Sequence, residues 1–495
     1  MNILLATSEA VPFAKSGGLA DVCGALPVEL ARLGQRVTVI LPAYRHVYDA
    51  GVPIEATGVN LSIPIGRKTV RGTLLRSQLP NSSVPVYLVQ QDDYYNRDEL
   101  YRENGKDFID NCERFVFFSR ATLEAIRLLD LHIDIVHAND WQTGLIPAYL
   151  KVEYRGVPGY EQMHSVFTVH NLAYQGTFWH WDMVLTGLDW KYFNWQQMEF
   201  YGKLNLLKTG LAFADQITTV SPRYAQEIQG EEQGCGLDGV LRQRSAVLTG
   251  ILNGVDYTQW NPSNDPHLAM RYDVSTALQG KAASKRALQE ELGLPVEPRK
   301  PMLGFIGRLA DQKGIDLIAQ VIREAVDTLD AQWVLLGTGD PKYHELFSRL
   351  ADRYPQKIAV RLEFSDPLAH RIEAGADMFL MPSRYEPCGL NQLYSLRYGA
   401  VPVVRATGGL ADTITGVSEE TFAAGTANGF SFHEYSALAL KEAVQRACRL
   451  YEQPEGWARV MLTGMRQDWS WQRSARQYVS LYERVASRQL ETARN

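Results

Sequence analysis

The sequence contains little cysteine, and its few cysteines are scattered. Five occur in 495 residues, at positions 23, 112, 235, 388 and 448. None belongs to a Cys-x-x-Cys pair, and no cysteine and histidine share the spacing of a zinc module. We therefore expect neither a disulfide framework nor a structural zinc site, which suits a reducing compartment.

Long apolar segments are also missing. No part of the chain approaches the ~18 apolar residues that a membrane-spanning helix needs. The first residues, MNILLATSEAVPF, lack the basic flank and the long apolar core of a secretory signal. We therefore expect a cytoplasmic protein with no membrane partner.

An excess of basic residues is absent as well. The chain has 56 acidic and 50 basic residues, which gives a net charge of −6. This balance argues against a nucleic acid partner, although a local basic site for an anionic ligand is compatible with it. With 45% hydrophobic and 21% charged residues, the composition is that of a soluble globular protein. The length suffices for two to four domains of ~100 to 200 residues.

In the first half of the chain, short apolar runs alternate with helix-like stretches. Strands are predicted at 2–8, 36–41, 133–140, 165–171 and 216–221, and helices at 19–33, 108–129 and 196–213. This alternation is typical of buried parallel strands joined by crossover helices. The segment 57–90 instead has the pattern of hairpin strands, and we expect it to be an excursion from the main sheet.

A polar, proline-rich stretch at 261–300 indicates a domain junction, with one helix-like segment near 275–292. After it, strands are predicted at 301–308, 332–339, 357–364, 376–383 and 401–407, with helices starting near 313, 341, 367 and 390. The last part, 434–495, has helical spacing throughout, with a bend at Trp469 and Trp471. We therefore predict an N-terminal domain, 1–254, joined by the terminal helix 472–495, and a second doubly wound domain, 255–471.

One pentapeptide occurs in both halves. Gly17-Gly18-Leu-Ala-Asp follows the first strand, and Gly408-Gly409-Leu-Ala-Asp follows a strand of the second domain. Glycines at a strand-to-helix turn let backbone amides approach a ligand, and a helix N-terminus favours anions such as phosphate. The repeat predicts two anion sites that face a cleft between the domains. Each Gly-Gly pair taken alone is also explained by a tight turn.

Charged groups accompany these turns. Lys15 lies just before the first Gly-Gly, and Arg308 and Lys313 lie near a strand end and the start of the next helix. Such cations suit a phosphate or diphosphate, although each alone could be a surface charge. Glu386 lies between a strand and a helix, where its carboxylate could accept hydrogen bonds from sugar hydroxyls.

Cys388 has no Cys/His/Asp pattern around it, and we expect it to be a packing residue rather than a nucleophile.

Polar and aromatic residues end two strands of the first domain. HANDW contains His137, Asp140 and Trp141, and TVHN contains His170 and Asn171. Groups of this kind bind sugars at the carboxyl edge of a sheet. Each histidine could equally be a satisfied buried one, and neither has a partner at metal-ligand spacing. The sequence therefore predicts no metal site.

Together these motifs resemble those of the bacterial glycogen synthases and plant starch synthases. The resemblance covers nearly the whole chain and rests on KSGGLADV (15–22), HANDW (137–141), FTVHNLAYQG (167–176), ILNGVD (251–256), GRLADQKG (307–314) and PSRYEPCGLNQLYSLRYG (382–399). It implies an α/β fold of the GT-B type, with two Rossmann-like doubly wound domains and an interdomain cleft. The implied activity is a hexosyltransferase reaction, the retaining transfer of glucose from ADP-glucose to the non-reducing-end 4-hydroxyl of an α-1,4-glucan. The glucan would be glycogen, starch or a maltooligosaccharide, and no metal or other cofactor is implied.

The resemblance also assigns roles to particular residues. It implies catalytic roles for Lys15, His170, Arg308, Lys313 and Glu386. It implies donor binding by Gly17, Gly18, Phe364, Cys388, Gly389, Leu390, Gly408 and Gly409, with Phe364 stacking on adenine. It implies contacts with glucose or the acceptor by Asp21, Asp140, Asn171 and Asn253. It also allows a plastid-like compartment in place of the cytoplasm for a chain from a photosynthetic eukaryote, although no transit peptide is visible.

One position departs from the wider group of retaining GT-B enzymes. Many of them carry Glu-x7-Glu, whereas the residue eight positions after Glu386 is Tyr394. Contacts of a second carboxylate with the ribose are therefore not implied. We see no nearby carboxylate pair typical of a covalent glycosidase mechanism. We therefore hypothesise a front-face mechanism, in which the leaving phosphate deprotonates the acceptor.

Two other classes of function stay open at this point. One is another nucleotide-sugar enzyme on the same fold, such as a sucrose synthase-like transferase or a sugar-nucleotide epimerase, against which the KSGGLADV loop argues. The other is a non-catalytic glucan-binding protein descended from a synthase. The sequence does not decide between glycogen and starch as product, or whether synthesis is processive.

Overall fold

The computed structural model describes residues 1–492, with side chains as far as residue 487. Two compact units divide the chain. The first contains Met1–Asn253 together with the chain from Trp471 onward, and the second is Gly254–Ser470. Each unit is built around its own sheet, which is mainly parallel in the first unit and wholly parallel in the second.

The first unit begins with a strand, a helix and a strand, continues with the consecutive strands β3 to β5, and then mixes further helices with short strands. Its strands are β1 (Asn2–Ala6), β2 (Arg36–Pro42), β3 (Glu55–Ile65), β4 (Lys68–Gln78), β5 (Pro85–Gln90), β6 (Arg102–Glu103), β7 (Lys106–Asp107), β8 (Ile135–Asn139), β9 (His164–Val169), β10 (Thr177–Phe178), β11 (Glu199–Phe200), β12 (Lys203–Asn205), β13 (Gln216–Thr219) and β14 (Leu248–Gly250). Its helices are α1 (Gly18–Arg32), α2 (Asp92–Tyr95), α3 (Asn111–Leu128), α4 (Ile146–Val152), α5 (Met183–Thr186), α6 (Leu206–Phe213), α7 (Pro222–Glu227) and α8 (Asp238–Gln243).

Nine of these strands form one sheet in the order β14-β13-β9-β8-β1-β2-β5-β4-β3. The first seven run parallel, and β4 and β3 are antiparallel additions at the edge. The expectation that segment 57–90 leaves the sheet is therefore wrong. β5 pairs with β2, with Val86 opposite Val39, and carries the hairpin into the sheet. Alternating apolar residues predict a half-buried strand but do not specify its partner, which is why the sequence missed this pairing.

The central strand of this sheet sets the position of the candidate site. The chain runs from β1 to β2 on one side and later returns to β8 on the other side of β1. Doubly wound sheets bind ligands at the carboxyl ends of the strands where the order reverses. Glu9 follows β1 and Asp140 follows β8, so both lie at this point.

The prediction of a single helix over 196–213 is correct only in its second half. Residues 199–205 form β11 and β12 of a small sheet with β10, and α6 begins at Leu206. The side chain of Asn205 accepts a hydrogen bond from the backbone N–H of Lys208, which caps the new helix. The apolar spacing continues through both segments, so it did not reveal the cap.

The second unit is a single six-stranded parallel sheet with helices between its strands. Its strands are β15 (Met302–Ile306), β16 (Gln332–Leu336), β17 (Ile358–Arg361), β18 (Met378–Met381), β19 (Val401–Arg405) and β20 (Phe430–Phe432). Its helices are α9 (Ala277–Leu292), α10 (Ile315–Ala325), α11 (Pro341–Arg353), α12 (Asp366–Gly375), α13 (Asn391–Tyr398), α14 (Gly408–Thr413), α15 (Glu419–Ala424), α16 (Ala437–Tyr451) and α17 (Pro454–Met465). The order β17-β16-β15-β18-β19-β20 reverses between β15 and β18. The sequence predicted the five strands from β15 to β19.

The end of the chain is not helical throughout. Helix α17 ends at Met465 and the last helix, α18 (Trp471–Thr492), begins at Trp471, so a break lies where the two tryptophans indicated a bend. Helix α18 packs on α1, and Tyr478 and Tyr482 enter the core of the first unit. The predicted helix extends to 495, and residues 493–495 lie outside the described part of the chain.

Among residues 1–492, no helix combines the length and the apolar character that crossing a membrane requires.

Candidate active site

A pocket of about 160 Å³ opens in the second unit where its strand order reverses. It is lined by Phe305, Ile306, Gly307, Lys313, Met381, Ser383, Gly389, Leu390 and Asn391. These residues come from the carboxyl ends of β15 and β18 and from the turns that follow them. The pocket therefore lies at the edge where doubly wound sheets bind their ligands. It brings together the predicted residues Lys313, Gly389 and Leu390.

An ion pair lies beside this pocket. Nζ of Lys313 is 2.7 Å from Oε2 of Glu386, and the hydroxyl of Ser383 donates to the same oxygen at 2.9 Å. The Glu386 side chain is only 7% exposed, whereas that of Lys313 is 26% exposed. Gly314 permits this arrangement, because it has a positive φ of 70° and a Cβ there would lie 2.0 Å from the carbonyl oxygen of Pro382. The close approach brings Lys313 to the loop that carries Glu386.

Gly408 and Gly409 bring helix α14 against the Glu386 loop. A Cβ at Gly408 would lie 1.9 Å from the carbonyl oxygen of Glu386, and one at Gly409 would lie 1.9 Å from that of Cys388. The Gly409 amide donates to the carbonyl oxygens of Glu386 and Pro387. These glycines thus fix the loop, while the phosphate contacts predicted for them stay a prediction.

Cys388, Gly389 and Leu390 lead into helix α13. Gly389 has a φ of 69°, which a glycine adopts without strain. Cys388 is buried, and the side-chain amide of Gln392 donates to its carbonyl oxygen at 3.0 Å. The cysteine is thus part of a packed turn, and its side chain does not line the pocket.

Arg308 and Phe364 lie on the surface of the same unit. Arg308 is exposed, and its Nη2 donates to the side chain of Gln312 at 3.0 Å. The Phe364 ring is 84% exposed, and it follows the carboxyl end of β17. Neither side chain lines the pocket. Their predicted contacts with diphosphate and adenine stay predictions.

In the first unit, the KSGG loop contains an exposed ion pair. Nζ of Lys15 lies 2.7 Å from Oδ1 of Asp21. A Cβ at Gly17 or Gly18 would meet no atom within 4 Å. Packing inside this unit therefore does not require glycine at either position, in contrast to Gly408 and Gly409.

Glu9, which the sequence analysis missed, holds this loop in place. Its buried carboxylate accepts the backbone N–H of Ser16 at 2.5 Å, the Ser16 hydroxyl at 2.6 Å and the Gly17 N–H at 3.2 Å. The Tyr101 hydroxyl donates to it at 2.7 Å. Glu9 lies three residues after the end of the buried central strand β1, and an acidic residue at that place was the signal that could have identified it.

His170, directly after β9, lies beside the last residue of β8, Asn139, and the residue that follows it, Asp140. Its backbone N–H donates to Oδ1 of Asp140 at 2.7 Å, and its Nε2 lies 2.9 Å from the side-chain oxygen of Asn139. That oxygen only accepts, so the proton of the neutral ring is on Nε2. Burial lowers the pKa of His170 to about 3, so the ring is neutral at pH 7.

The side-chain carboxyl of Asp140 has a pKa well above its ordinary value. Burial, with the nearby charge of Glu9, raises the pKa of its carboxyl to about 7, although the amides of His170 and Asn171 act in the opposite direction. Its backbone has a positive φ of 56°. Asp140 and His170 are thus brought together at the strand ends, as the two motifs predicted.

The two predicted asparagines differ in their surroundings. Asn171 accepts the backbone N–H of Ala173 at 3.1 Å. Asn253 is buried, and its side-chain oxygen has no hydrogen-bond partner among the residues that the structure describes. An unpaired buried acceptor of this kind is uncommon in proteins, and the contact of Asn253 with glucose or the acceptor stays a prediction.

Two motif residues have structural roles instead. Both ring nitrogens of buried His137 are used, Nδ1 with the Tyr482 hydroxyl at 2.8 Å and Nε2 with the Thr168 hydroxyl at 2.6 Å. Trp141 packs edge-on against Phe115, with ring centroids 4.9 Å apart. His137 is therefore a satisfied buried histidine, which is one of the two roles that its motif allows.

Tyr394, at the position of the second carboxylate in Glu-x7-Glu, belongs to a stack of rings. Its ring lies parallel to that of Trp260 at 4.0 Å, and Trp260 also stacks with His370 at 3.9 Å. The side chain of Tyr394 is therefore held by packing.

Within residues 1–487, no three His, Cys, Asp or Glu side chains are grouped so that they could hold a metal ion.

Comparison with known proteins agrees with this architecture. The family model for the starch synthase catalytic domain matches residues 2–243, and the model for glycosyl transferases group 1 matches residues 289–459. Together with the two Rossmann-like sheets, these matches define a glycosyltransferase of the GT-B fold. The expected fold class is thus confirmed.

Full-length relatives narrow the class to one family. A glycogen synthase of Rhodopirellula baltica is 47% identical over 98% of both chains, and one of Syntrophotalea carbinolica is 47% identical over 98% of this chain and 99% of its own. The catalytic domain of starch synthase IV from Arabidopsis thaliana, bound to ADP and acarbose, superposes with a TM-score of 0.89 at 34% identity. It covers 98% of this chain and 99% of that one. The chain belongs to the glycogen synthase and starch synthase family.

This membership decides between the functions left open by the sequence. The prediction of a glycogen or starch synthase is confirmed, and these relatives give no support to a non-catalytic glucan-binding protein. A sucrose-phosphate synthase from Thermosynechococcus elongatus has a TM-score of 0.59 at 16% identity, so it shares the fold alone.

Proposed function

We propose that the chain transfers glucose from ADP-glucose, with retention of configuration, to the non-reducing-end 4-hydroxyl of an α-1,4-glucan. The observation that carries this proposal is the Lys313–Glu386 pair beside the pocket of the second unit. A cation and a hydrogen-bond acceptor side by side suit a ligand that joins a diphosphate to a sugar. The related starch synthase IV was solved with ADP and acarbose, a nucleotide and an oligosaccharide analogue, which supports this donor and acceptor.

The cations of the second unit would stabilise the leaving diphosphate. Lys313 lies at the pocket and Arg308 follows the end of β15, so both belong to the edge at which ligands bind. Fixed positive groups aimed at developing negative charge are effective because they need no reorganisation during the reaction. We propose that they take the place of a divalent cation. Glu386 would accept hydrogen bonds from the glucose hydroxyls.

His170 would act without gaining a proton. With a pKa of about 3 it stays neutral at pH 7, and its Nε2–H faces Asn139, so the ring is unsuited to general acid or base catalysis there. We propose that its backbone carbonyl faces the oxocarbenium-like transition state. The leaving phosphate would then accept the proton of the attacking 4-hydroxyl.

The test is incorporation of labelled glucose into glycogen from ADP-glucose and, in parallel, from UDP-glucose. Each reaction is run with and without a chelator and with and without the acceptor. We expect acceptor-dependent, chelator-resistant incorporation from ADP-glucose. Loss of incorporation with chelator would contradict the role given to the cations, and a preference for UDP-glucose would contradict the donor.

We further propose that this activity resides in the cytoplasm, or in a plastid-like compartment in a photosynthetic eukaryote. Support comes from the scattered cysteines, all five of which are free in the structure. Fractionation of the source cells with an antibody against the chain tests this, and recovery with membranes would contradict it.

A further inference from the structure

Tyr435 lies at the carboxyl edge of the second sheet, three residues after β20, and its ring is half-buried. Its hydroxyl donates to Oδ1 of Asp316 at 2.6 Å and lies 3.2 Å from the carbonyl oxygen of Asp311. Burial and the hydrogen bond to the Asp316 carboxylate raise the pKa of Tyr435, so the hydroxyl keeps its proton and remains the donor. Asp311 begins the turn that ends at Lys313, and Asp316 lies in the first turn of α10. The hydroxyl therefore contacts the chain on both sides of Lys313.

The face of the same ring meets the loop that carries Glu386. The guanidinium carbon of Arg384 lies 4.0 Å from the centroid of the Tyr435 ring, which is the geometry of a cation–π contact. The backbone N–H of Arg384 donates to the carbonyl oxygen of Gln312 at 2.9 Å. Tyr435 thus contacts both of the chain segments whose side chains form the Lys313–Glu386 pair.

Arg405, the last residue of β19, fastens the chain on either side of this stack. Its Nη1 donates to the carbonyl oxygen of Arg384 at 2.5 Å, and its Nε donates to that of His433 at 2.9 Å. Its guanidinium carbon lies 5.7 Å from the centroid of the Tyr435 ring. The ends of four neighbouring strands, β15, β18, β19 and β20, therefore take part in one connected group of contacts with Tyr435 at its centre.

A link of this kind matters because a ligand competes for the ion pair between Lys313 and Glu386. Under the proposed function, Lys313 meets the diphosphate and Glu386 meets the glucose hydroxyls, so the ion pair no longer joins the two segments. The contacts of Tyr435 are made with other residues, and they remain when the pair is divided. Displacements of about 1 Å near reacting groups cost up to ~10²-fold in rate. The two segments therefore need a connection that the ligand does not break.

We propose that Tyr435 is a positioning residue of the transfer reaction, which keeps the Lys313 turn and the Glu386 loop at a fixed separation while the ligand engages both side chains. In this role it touches no reacting atom and acts only through the two segments. The inference rests on the proposed function, because that function supplies the ligand that divides the pair. The alternative is that Tyr435 only packs on the core of the second unit, which its ring also contacts.

The test variants of the full-length protein are Tyr435→Phe, which removes the hydroxyl and keeps the ring beneath Arg384, and Tyr435→Ala, which removes both. The matched control is Tyr354→Phe. The Tyr354 hydroxyl also donates to an aspartate of the second unit, Asp327, at 3.4 Å, but it lies outside the pocket and outside the two segments. The constants kcat and KM for ADP-glucose are measured with glycogen as acceptor, per folded molecule.

We expect Tyr435→Phe to lower kcat about tenfold and Tyr435→Ala about a hundredfold, with KM for ADP-glucose changing less than about threefold. The phenylalanine variant would thus rescue part of the activity that alanine loses. Tyr354→Phe should leave both constants near those of the original protein. A normal kcat in Tyr435→Ala would overturn the proposal, and so would an equal loss in Tyr354→Phe and Tyr435→Phe.

A double-mutant cycle separates positioning from a merely structural role. In the Glu386→Ala protein no carboxylate is left to align with Lys313, so the addition of Tyr435→Phe should lower kcat less than about twofold. A structural role would instead give the same loss of about tenfold with and without Glu386. Equal losses in the two backgrounds would contradict the positioning role.

Backbone amide exchange reports on the two segments in the absence of any ligand. In Tyr435→Ala we expect the amides of residues 311–314 and 384–386 to exchange about tenfold faster or more, because the ring and its hydroxyl no longer hold these segments. The amides of α9 should exchange at the original rate. Unchanged exchange in both segments would rule out the link.

The two proposals fail in distinguishable ways. If the original protein transfers glucose from neither donor, the proposed function fails, and the amide exchange alone decides whether Tyr435 holds the two segments. If the original protein is active and Tyr435→Ala is equally active, the positioning role fails and the proposed function stands.

Discussion

Oε2 of Glu386 receives two donors from the second unit, the ammonium of Lys313 at 2.7 Å and the hydroxyl of Ser383 at 2.9 Å. The carboxylate is nearly buried, while the lysine is partly open to solvent beside the pocket. The pair places the positive charge of Lys313 at the sheet edge, and the carboxylate of Glu386 compensates that charge within the protein. A ligand with both a diphosphate and hydroxyls can engage its two members separately.

Removing either member of this pair is expected to abolish most activity. Lys313→Ala and Glu386→Ala should each lower kcat by ~10²- to 10³-fold, because each would remove charge stabilisation or sugar positioning in the transition state. Both proteins should fold, since the pair lies at the edge of the unit rather than in its apolar core. The measurement is steady-state transfer together with circular dichroism and thermal unfolding.

The matched control for that pair is Lys342→Ala. Lys342 forms a comparable lysine–carboxylate pair with Asp311 at 3.0 Å, but it is exposed and outside the pocket. We expect near-normal kcat for this variant. Near-normal turnover in both Lys313→Ala and Glu386→Ala would rule out the roles proposed for these residues.

The two Gly-Gly-Leu-Ala-Asp turns should respond differently to alanine. Gly408→Ala places a Cβ against the Glu386 carbonyl oxygen and should destabilise the second unit by roughly 2 to 4 kcal/mol. Gly17→Ala meets open space and should leave stability within about 0.5 kcal/mol of the original. If the Gly17 position serves close approach of the donor, its variant should nevertheless lose kcat by ~10-fold or more.

Unfolding midpoints and transfer rates of both variants decide this prediction. A stable, fully active Gly17→Ala protein would show that no ligand approaches that turn closely. A stable Gly408→Ala protein would contradict the packing argument for the second turn.

The contrast between these turns shows what the sequence could and could not predict. The repeated pentapeptide correctly placed both turns after parallel strands, because glycine at a strand-to-helix turn has a local cause. It did not distinguish a glycine that fits against a neighbouring carbonyl, as at Gly408, from one that faces open space, as at Gly17. That difference depends on which loops are neighbours in space. Glu9 was missed for the same reason, since its partners Ser16 and Tyr101 are identified only by the fold.

Asp140 predicts a pH-dependent stability. Its carboxyl has a pKa of about 7 in the folded protein, raised from 3.8, so the folded state holds its proton more tightly than the unfolded state does. The stabilisation is fully present below about pH 4 and is lost as the pH rises through 7. Asp140→Asn removes this pH-dependent contribution to the free energy of unfolding, because asparagine does not titrate. The free energy of unfolding of the variant, minus that of the original protein, should therefore rise by about 2 to 4 kcal/mol as the pH rises from 4 to 7.5.

Urea unfolding of both proteins at several pH values measures this difference. Asp273→Asn is the control of opposite sign, because hydrogen bonds from Ser275 and Thr276 lower the pKa of the exposed Asp273 carboxyl. The difference in unfolding free energy between Asp273→Asn and the original protein should not change with pH above pH 5. A pH-independent difference for Asp140→Asn would contradict the raised pKa.

His170 is expected to remain neutral across the physiological range. Burial lowers its pKa to about 3, and the same cause gives about 3 for His137. In protein labelled at the histidine ring carbons, the signals of His170 and His137 should therefore not move between pH 8 and 5. His170→Gln assigns one of them. An inflection of that signal in this interval would show that His170 can act as an acid or base.

Glu9→Gln tests whether the buried carboxylate positions the KSGG loop. A carboxylate accepts at both oxygens, whereas glutamine offers one acceptor and turns an NH2 group towards the donors of Ser16 or Tyr101. Lys15 and Gly17 should then lose their defined positions, and kcat should fall by ~10²-fold, because small displacements near reacting groups are costly. Glu113→Gln is the matched control, since this carboxylate of the first unit, like that of Glu9, accepts a tyrosine hydroxyl, that of Tyr94, and it additionally pairs with Lys68. We expect a change in kcat only for Glu9→Gln, with similar unfolding midpoints for the two variants. Equal activities of the two variants would show that the loop is positioned without Glu9.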